Sequence, residues 1–225
     1  MPTPYYKPPS KWMWYAFLRR WVWMGAIVVF RYRAFGVERV PADGPLLLCS
    51  NHQSHFDPPL IGGPIPRQLH YLAREDLFHL PGFNWLIRSL DAIPIDREGL
   101  GLSGIKQTLR LLKSGEAVVV FPEGTRTYDG EVADFRPGIL TLARRAKAPL
   151  APCALDGGFQ AWPRGQTIPG FGPIVVQYGE PIWPEDFEGV SDEELLAELR
   201  RRIVACHQLA RRRRTAMLDE RWTPR

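Results

Sequence analysis

The chain has 225 residues, of which 45% are hydrophobic and 24% are charged. This length suits one domain with extensions, and the composition excludes a disordered chain. The 20 glycines and 22 prolines follow no repeating triplet, which also excludes a collagen-like chain.

Basic residues are concentrated at the two ends of the chain. Residues 1–40 carry seven Lys or Arg and one Glu, and residues 191–225 carry nine basic and six acidic residues. Residues 41–190 carry 13 basic and 17 acidic residues, so the body of the chain is mildly acidic. A nucleic-acid-binding protein more often spreads positive charge over its binding surface. The distribution instead predicts attraction to an anionic membrane phospholipid surface, and no nucleic-acid partner.

The N-terminal segment 12–30, WMWYAFLRRWVWMGAIVVF, is apolar and rich in tryptophan. Its uninterrupted apolar run, residues 21–30, is shorter than the roughly 20 residues that span a bilayer. Indole rings favour the headgroup region, and flanking cations attract anionic lipid. We therefore predict that residues 1–34 form a membrane-association segment with a helix lying in the interface. A core helix of the same domain is the alternative.

Residues 35–190 alternate short apolar runs with helical patterns, which predicts an α/β domain with a mixed, largely parallel central sheet flanked by helices on both faces. Continuous runs such as LLLC and AVVVF indicate strands covered on both sides. The predicted strands are Phe35–Val40, Pro45–Ser50, Leu69–Ala73, Ala92–Ile95, Glu116–Phe121, Pro149–Leu155 and Ile174–Tyr178. The predicted helices are Gly82–Leu90, Leu102–Ser114 and Pro137–Lys147, and residues 157–173 are predicted to form a loop.

Residues 191–225 are predicted to form a basic C-terminal helix packed on the domain or extending from it. Ser191 and Glu194 have the spacing of a capping box, and apolar residues follow them at helical intervals. The runs Arg200–Arg202 and Arg211–Arg214 either form a solvated face or contact the membrane, and the pattern favours neither.

Three cysteines, Cys49, Cys153 and Cys206, are widely spaced and show no zinc-binding spacing with one another or with histidine. Cys49 and Cys153 lie in apolar runs, so we expect both to be small buried hydrophobic residues. The pattern indicates reduced thiols in the cytosol and no metal site.

The first candidate catalytic pair follows the predicted strand Pro45–Ser50, in the run NHQSHFDPP. His52 and Asp57 are five residues apart, so a regular helix would hold them about 140° from each other. Asp57-Pro58 is typical of a helix start with Asp57 as the cap, and a loop leading into that helix allows the carboxylate to meet the His52 ring. Such a pair suits the deprotonation of a hydroxyl. A capping Asp57 beside an unrelated His52 is the alternative.

Two further clusters follow predicted strands and carry arginines. Arg97 ends the run IPIDR. The run FPEGTR contains Gly124, where a ligand can approach the backbone closely, and Arg126, whose planar cation suits phosphate. Arg136 adds a cation just before a predicted helix start, where an anion is favoured. Two arginines at the ends of two strands can grip one phosphate, whereas each alone is more often a surface cation.

Four blocks of the chain, taken in order, resemble those of the PlsC-type glycerolipid acyltransferases, a family that includes the 1-acylglycerol-3-phosphate acyltransferases. The blocks are Asn51-His52 with Asp57, IPIDR at 93–97, FPEGTR at 121–126 and Ala151-Pro152. Thr127 stands where the family commonly has Ser, and the fourth block reads APCAL. These departures leave the subfamily open.

The resemblance implies that His52 is a general base and that Asp57 orients it. His55 is an alternative base that does not match the family's position. The resemblance also implies that the acceptor is bound by Arg97, Glu123, Gly124, Thr125 and Arg126. Because a carboxylate repels phosphate, the role of Glu123 stays open between orienting an arginine and orienting the acceptor's free hydroxyl.

The implied reaction moves a fatty acyl group from acyl-CoA or acyl-carrier protein to the hydroxyl of lysophosphatidate, giving phosphatidate without a cofactor or a metal. Another lysolipid, an acylated amino-acid lipid or glycerol 3-phosphate are alternative acceptors. A thioesterase that activates water is the alternative from another class, and a non-catalytic membrane-binding module is a third. The implied location is peripheral or monotopic, on the cytoplasmic face of the membrane.

Overall fold

The computed structural model describes residues 9–79, 84, 92–95 and 101–219. Within these residues, seven strands form one sheet in the order β1-β7-β6-β2-β5-β3-β4. The strands are β1 (Arg33–Phe35), β2 (Leu46–Ser50), β3 (Leu69–Arg74), β4 (Ile93–Ile95), β5 (Ala117–Val120), β6 (Leu150–Asp156) and β7 (Val175–Tyr178). The α-helices are α1 (Pro9–Phe30), α2 (Asp57–Gly62), α3 (Leu102–Lys113), α4 (Gly138–Ala146), α5 (Gly158–Ala161) and α6 (Asp192–Asp219). Short 3-10 helices cover Val37–Arg39, Glu75–His79 and Pro184–Phe187.

The pairings between these strands are parallel except for the one between β6 and β7. At the centre lies β2, where Leu47 pairs with Val118 of β5 on one side and with Leu150 of β6 on the other. The predicted mixed, largely parallel sheet is confirmed. Because the carboxyl ends of β2, β5 and β6 meet at one edge, the segments that follow these strands converge there.

Helices cover both faces of the sheet, as predicted. Leu47 and Cys49 of β2 face a hydrophobic core shared with α3, α4 and α6, whereas Leu46 and Leu48 face a second core shared with α1 and α2. The alternation follows from the two-residue period of a strand. Each fully buried leucine stabilises the fold by roughly 1.5–3 kcal/mol. The run LLLC of β2 is therefore apolar throughout because both faces of the strand are buried.

The prediction of a strand over Phe35–Val40 is wrong. The strand β1 ends at Phe35, and a 3-10 helix follows at Val37–Arg39. Gly36 separates the two because its φ is 78°, in the left-handed region that ends an extended strand. A Cβ at Gly36 would lie only 2.5 Å from the carbonyl oxygen of Tyr178, so β7 approaches closely there.

The other predicted elements agree with the structure where it describes them. The predicted helices Leu102–Ser114 and Pro137–Lys147 are confirmed as α3 and α4, and the six remaining strands lie within a few residues of their predicted bounds. The segment 157–173 is not entirely loop, since the one-turn helix α5 begins it. Apart from residue 84, the predicted helix Gly82–Leu90 lies outside the described residues.

The helix α1 has one face packed against the domain and one face exposed. Tyr15 is buried and its hydroxyl accepts the Leu69 N–H at 3.2 Å. Arg19 interrupts the apolar sequence of α1. Its guanidinium faces the domain, where it donates to the Gly63 and Ile65 carbonyls. The opposite face presents a stripe of exposed apolar side chains at helical spacing, namely Phe17, Trp21, Met24 and Val28. In the described part of the chain, no helix has the length and hydropathy that crossing a membrane requires.

The helix α6 packs across β6 and β7. Its predicted capping box is confirmed, since the Glu194 N–H donates to Ser191 Oγ at 3.2 Å and the Ser191 N–H donates to Glu194 Oε2 at 3.2 Å. Several arginines of α6 bind the domain: Arg202 donates to the Glu180 and Pro181 carbonyls, Arg211 pairs with Glu131, and Arg214 donates to the Pro173 carbonyl. These cations therefore hold the helix to segments that connect the strands, a role that the charge pattern did not indicate.

Candidate active site

His52 and Asp57 form a close pair beyond the carboxyl end of β2. The ring nitrogen Nδ1 of His52 lies 2.7 Å from Asp57 Oδ2. The Asp57 side chain is fully buried, whereas 20% of the His52 side-chain surface is exposed. The contact that the five-residue spacing allowed is present, and it joins a buried carboxylate to a ring that a substrate can reach.

Asp57 does not cap α2, contrary to the prediction. Its Oδ2 accepts the backbone N–H groups of Gln53 at 2.5 Å and Ser54 at 2.7 Å, which precede it. A capping carboxylate would accept from the N–H groups two or three residues further on. Pro59 has no N–H to offer, and the Leu60 N–H donates to a backbone carbonyl. With no donor ahead of it, the Asp57 carboxylate turns back onto the preceding loop.

Asp57 also determines which nitrogen of the His52 ring carries the proton. A carboxylate only accepts hydrogen bonds, so Nδ1 is the protonated nitrogen and Nε2 keeps its lone pair. The ring stacks on Phe121 with centroids 4.0 Å apart and planes 18° from parallel. The backbone of His52 is held as well, because its carbonyl accepts the Thr127 N–H at 2.7 Å. The geometry leaves an oriented acceptor nitrogen that can take a proton.

Glu123 lies against the backbone of His52. Its side chain is buried, and its Oε1 accepts the His52 N–H at 3.1 Å. Burial raises the pKa of Glu123 to about 7, although the hydrogen bonds from the His52 and Ala133 backbones act in the opposite direction. The sequence suggested that Glu123 orients either an arginine or the acceptor hydroxyl. The contact with the His52 N–H belongs to neither of these two roles. Glu123 helps to hold the segment that carries the His52 ring.

The turn that follows Glu123 is open to solvent at Gly124 and Thr125. Gly124 has a φ of 70°, and a Cβ there would lie 2.6 Å from Nε of Arg136, so the turn requires glycine. The Thr125 hydroxyl accepts a hydrogen bond from Arg164 Nη1 at 3.2 Å, and Arg164 also donates to the Tyr128 hydroxyl at 2.8 Å. This rim therefore carries exposed backbone beside two guanidinium groups.

Arg126 and His55 lie on the same side of the molecule as the pair. Arg126 is half-buried, and its positive charge is close enough to His55 to affect the pKa of that ring. Partial desolvation of the ring and then the Arg126 charge lower the pKa of His55. The His55 ring lies 5.0 Å, centroid to centroid, from Trp162. Arg97, the other predicted phosphate contact, lies outside the described residues.

Comparison with known proteins identifies the family of this chain. A sequence model described as Acyltransferase matches residues 31–156, which include His52, Asp57 and the turn at 121–126. The chain belongs to the acyltransferase family. The resemblance to the PlsC type is confirmed, and the protein is an O-acyltransferase.

Several relatives of this acyltransferase have assigned activities. It is 34% identical over 168 residues to a 1-acyl-sn-glycerol-3-phosphate acyltransferase of Bacillus subtilis (strain 168), covering 74% of this chain and 81% of the relative. It is 34% identical over 188 residues to an enzyme of the same name from Pseudomonas aeruginosa, covering 82% of this chain and 70% of the relative. The crystal structure of PlsC from Thermotoga maritima, a 1-acyl-sn-glycerophosphate acyltransferase, superposes with a TM-score of 0.74 at 28% identity. That match covers 84% of this chain and 77% of the other.

Two polar residues of the acyltransferase site have contacts that were not predicted. The Asn51 side chain continues the sheet between β2 and β6, since its Nδ2 donates to the Leu155 carbonyl at 2.9 Å and its Oδ1 accepts the Leu155 N–H at 2.8 Å. Gln53 is fully buried behind the pair. An amide side chain directly after a buried strand is the available signal, because it carries a donor and an acceptor as the backbone does.

In the residues that the structure describes, no three His, Cys, Asp or Glu side chains are grouped to hold a metal ion.

Proposed function

We propose that this acyltransferase moves a fatty acyl group from an acyl thioester to the free hydroxyl of 1-acyl-sn-glycerol 3-phosphate, giving phosphatidate. The observation that carries the proposal is the 2.7 Å contact between His52 Nδ1 and the buried Asp57 carboxylate, which leaves Nε2 as an oriented proton acceptor. The names of the Bacillus and Pseudomonas relatives support lysophosphatidate as the acceptor.

In the proposed reaction, His52 Nε2 takes the proton of the acceptor hydroxyl as its oxygen attacks the thioester carbonyl carbon. The Asp57 carboxylate stabilises the imidazolium that forms. The carbon–sulfur bond then breaks, and the leaving thiolate takes the proton from His52, so that the ring returns to its starting state. The thioester is already activated, and the proposed route needs no cofactor, metal or acyl-enzyme.

The acceptor phosphate is proposed to bind along the turn at 124–126. Gly124 exposes backbone, Thr125 offers a hydroxyl, and Arg126 supplies a planar cation suited to phosphate. Arg97, which follows β4 by two residues in the sequence, is proposed to contribute a second cation. Glu123 is proposed to act through the His52 backbone, because its Oε1 is already bonded to that N–H.

We expect thiol release from acyl-CoA by the purified protein to require lysophosphatidate. The phosphate-binding groups would have no function in hydrolysis, so release without an acceptor should be small. The assay compares lysophosphatidate, other lysophospholipids, glycerol 3-phosphate and no acceptor, each with acyl-CoA and with acyl-carrier protein as donor. Equal thiol release with and without acceptor would identify a thioesterase. Preference for another acceptor would retain acyl transfer and replace the proposed substrate.

The proposed enzyme acts at the cytoplasmic face of a membrane. Residues 1–34 are assigned to membrane association, residues 35–190 to acyl transfer, and residues 191–225 to the C-terminal helix. The exposed apolar stripe of α1 supports the first assignment, since such a face suits the lipid interface. The buried free thiols Cys49, Cys153 and Cys206 fit a reducing compartment and support the cytoplasmic side.

Replacing Trp21 and Val28 together with serine should release the protein from membranes. These side chains are 59% and 81% exposed and lie on the apolar stripe, so they would lose lipid contacts while the core is unchanged. The measurement is co-sedimentation with vesicles of phosphatidylcholine and phosphatidylglycerol. The matched control is Trp183→Ser, which removes a 46% exposed indole from another surface and should leave binding unchanged. Undiminished sedimentation of the double variant would place the membrane contact elsewhere.

A further inference from the structure

The Gln53 side chain connects the loop 52–57 to three other parts of the molecule. Its Oε1 accepts the Phe159 N–H at 3.2 Å, at the start of α5. Because that contact requires an acceptor, the other end of the amide is the donor, and its Nε2 donates to the Gly130 carbonyl at 2.8 Å. The same Nε2 lies 3.2 Å from Nε2 of His207 on α6. The loop is thus bound from behind through one fully buried side chain.

His207 is 154 residues from Gln53 in sequence and lies outside the segment 31–156 that the family model matches. It is 3% exposed, and its Nε2 lies 3.2 Å from Oδ1 of Asp156 at the end of β6. Burial alone would raise the pKa of Asp156, but His207 and two arginines of α6 hold it below its ordinary value. Because Nε2 of His207 has only one hydrogen and the charged, buried carboxylate accepts it, Asp156 fixes the ring, which packs against the Gln53 amide without a hydrogen bond to it.

We propose that Gln53 and His207 are positioning residues for acyl transfer, and that Asp156 holds His207 in place. The contacts run without interruption from the His207 ring to the Gln53 amide, and from the Gln53 N–H to Asp57 Oδ2 at 2.5 Å. Asp57 in turn sets the His52 ring. This inference rests on the proposed function of the His52–Asp57 pair. Neither Gln53 nor His207 takes part in the chemistry, and both act through the geometry of the pair.

The loop 52–57 depends on these contacts because it has no regular secondary structure before α2 begins. A misplacement of about 1 Å at reacting groups can lower a rate by about 100-fold. We therefore expect His207→Ala and Gln53→Ala each to lower kcat by about 10- to 100-fold while KM for the acceptor changes little. The double variant should lose little more than the worse single variant, since both break the same connection.

The test is the thiol-release assay on the full chain with acyl-CoA and lysophosphatidate, and thermal unfolding is followed in parallel. His207→Gln should retain most of kcat, because its amide can still donate to Asp156 while its side chain occupies the space against Gln53. Ile203→Ala, which removes a buried apolar side chain from the same helix, is the matched control. It should lower the Tm without lowering kcat at a temperature where the protein is folded.

Full kcat in His207→Ala, or an equal loss of kcat in Ile203→Ala, would overturn the inference. Strictly additive losses in the double variant would also overturn it. If Gln53→Ala does not fold, the two His207 variants decide the question. Activity that survives His52→Ala overturns the proposed function, whereas loss of activity in His52→Ala together with full kcat in His207→Ala overturns this inference alone.

Discussion

Replacing His52 with alanine is expected to lower kcat by about 100- to 10,000-fold, the range over which a positioned general base contributes to catalysis. The ring holds the lone pair of Nε2 toward the open side of the site, because Asp57 occupies Nδ1 and Phe121 stacks on one face. Alanine removes the proton acceptor and leaves the backbone contacts to Glu123 and Thr127 available. Kinetics with acyl-CoA and lysophosphatidate measure the loss.

The neighbouring histidine provides a matched control for His52. His55 is exposed, and its ring lies near Trp162 and not in the His52–Asp57 pair. Partial desolvation and the Arg126 charge lower the pKa of His55. We expect His55→Ala to retain kcat. If His55→Ala is the inactive variant and His52→Ala is active, the base is His55, the alternative that the sequence leaves open. Vesicle binding by both variants should match that of the unmodified protein.

Asp57→Asn is expected to lower kcat by a similar factor, about 100- to 10,000-fold, with little change in KM for the acceptor. The amide oxygen can still accept the N–H groups of Gln53 and Ser54, so the loop keeps its shape. That oxygen also faces His52 Nδ1, because all three donors meet the same carboxylate oxygen, Oδ2. The neutral amide lacks the negative charge that orients the ring and stabilises the imidazolium formed when Nε2 takes the proton.

The effect of Asp57→Asn is separable from a loss of stability. Asp186→Asn alters a carboxylate that accepts the Trp183 N–H at 2.8 Å in a surface turn, and it should leave kcat unchanged. The decisive measurement is the ratio of the change in kcat to the change in KM. An unaltered kcat in Asp57→Asn, or a rise in KM that accounts for the whole loss, would contradict an orienting role for Asp57.

Much of the sheet could be predicted from the sequence because its strands are continuous apolar runs. The run LLLC in β2 needs cover on both faces, and the structure has two cores there. The failed strand at Phe35–Val40 shows the limit of this reasoning. The apolar pattern continues through Gly36, but a positive φ and the nearby Tyr178 carbonyl end the strand. A contact with a residue 142 positions away is not visible in a local pattern.

In the site, too, contacts between residues close in sequence could be predicted, whereas contacts between residues far apart in sequence could not. The pairing of His52 with Asp57 could be predicted because both residues lie in one short run. The turning back of Asp57 was partly predictable, since Pro59 removes one of the two N–H groups that a cap would accept, although Leu60 keeps the other. The contact of Glu123 with the His52 backbone, and that of His207 with Gln53, depend on how β5 and α6 pack. No spacing within the sequence specifies them.

The short join between α1 and β1 couples the position of the helix to that of the active site. Only Arg31 and Tyr32 separate the two elements, and the Tyr32 hydroxyl donates to the Leu60 carbonyl in α2 at 2.7 Å. The helix therefore cannot tilt independently of the segment that begins with Asp57. With α1 lying in the interface as proposed, the ring of His52 stands at one depth relative to the lipid headgroups. On that proposal, an acceptor hydroxyl at that depth would be reached without lifting the lipid, and the anchor would contribute to regioselectivity as well as to attachment.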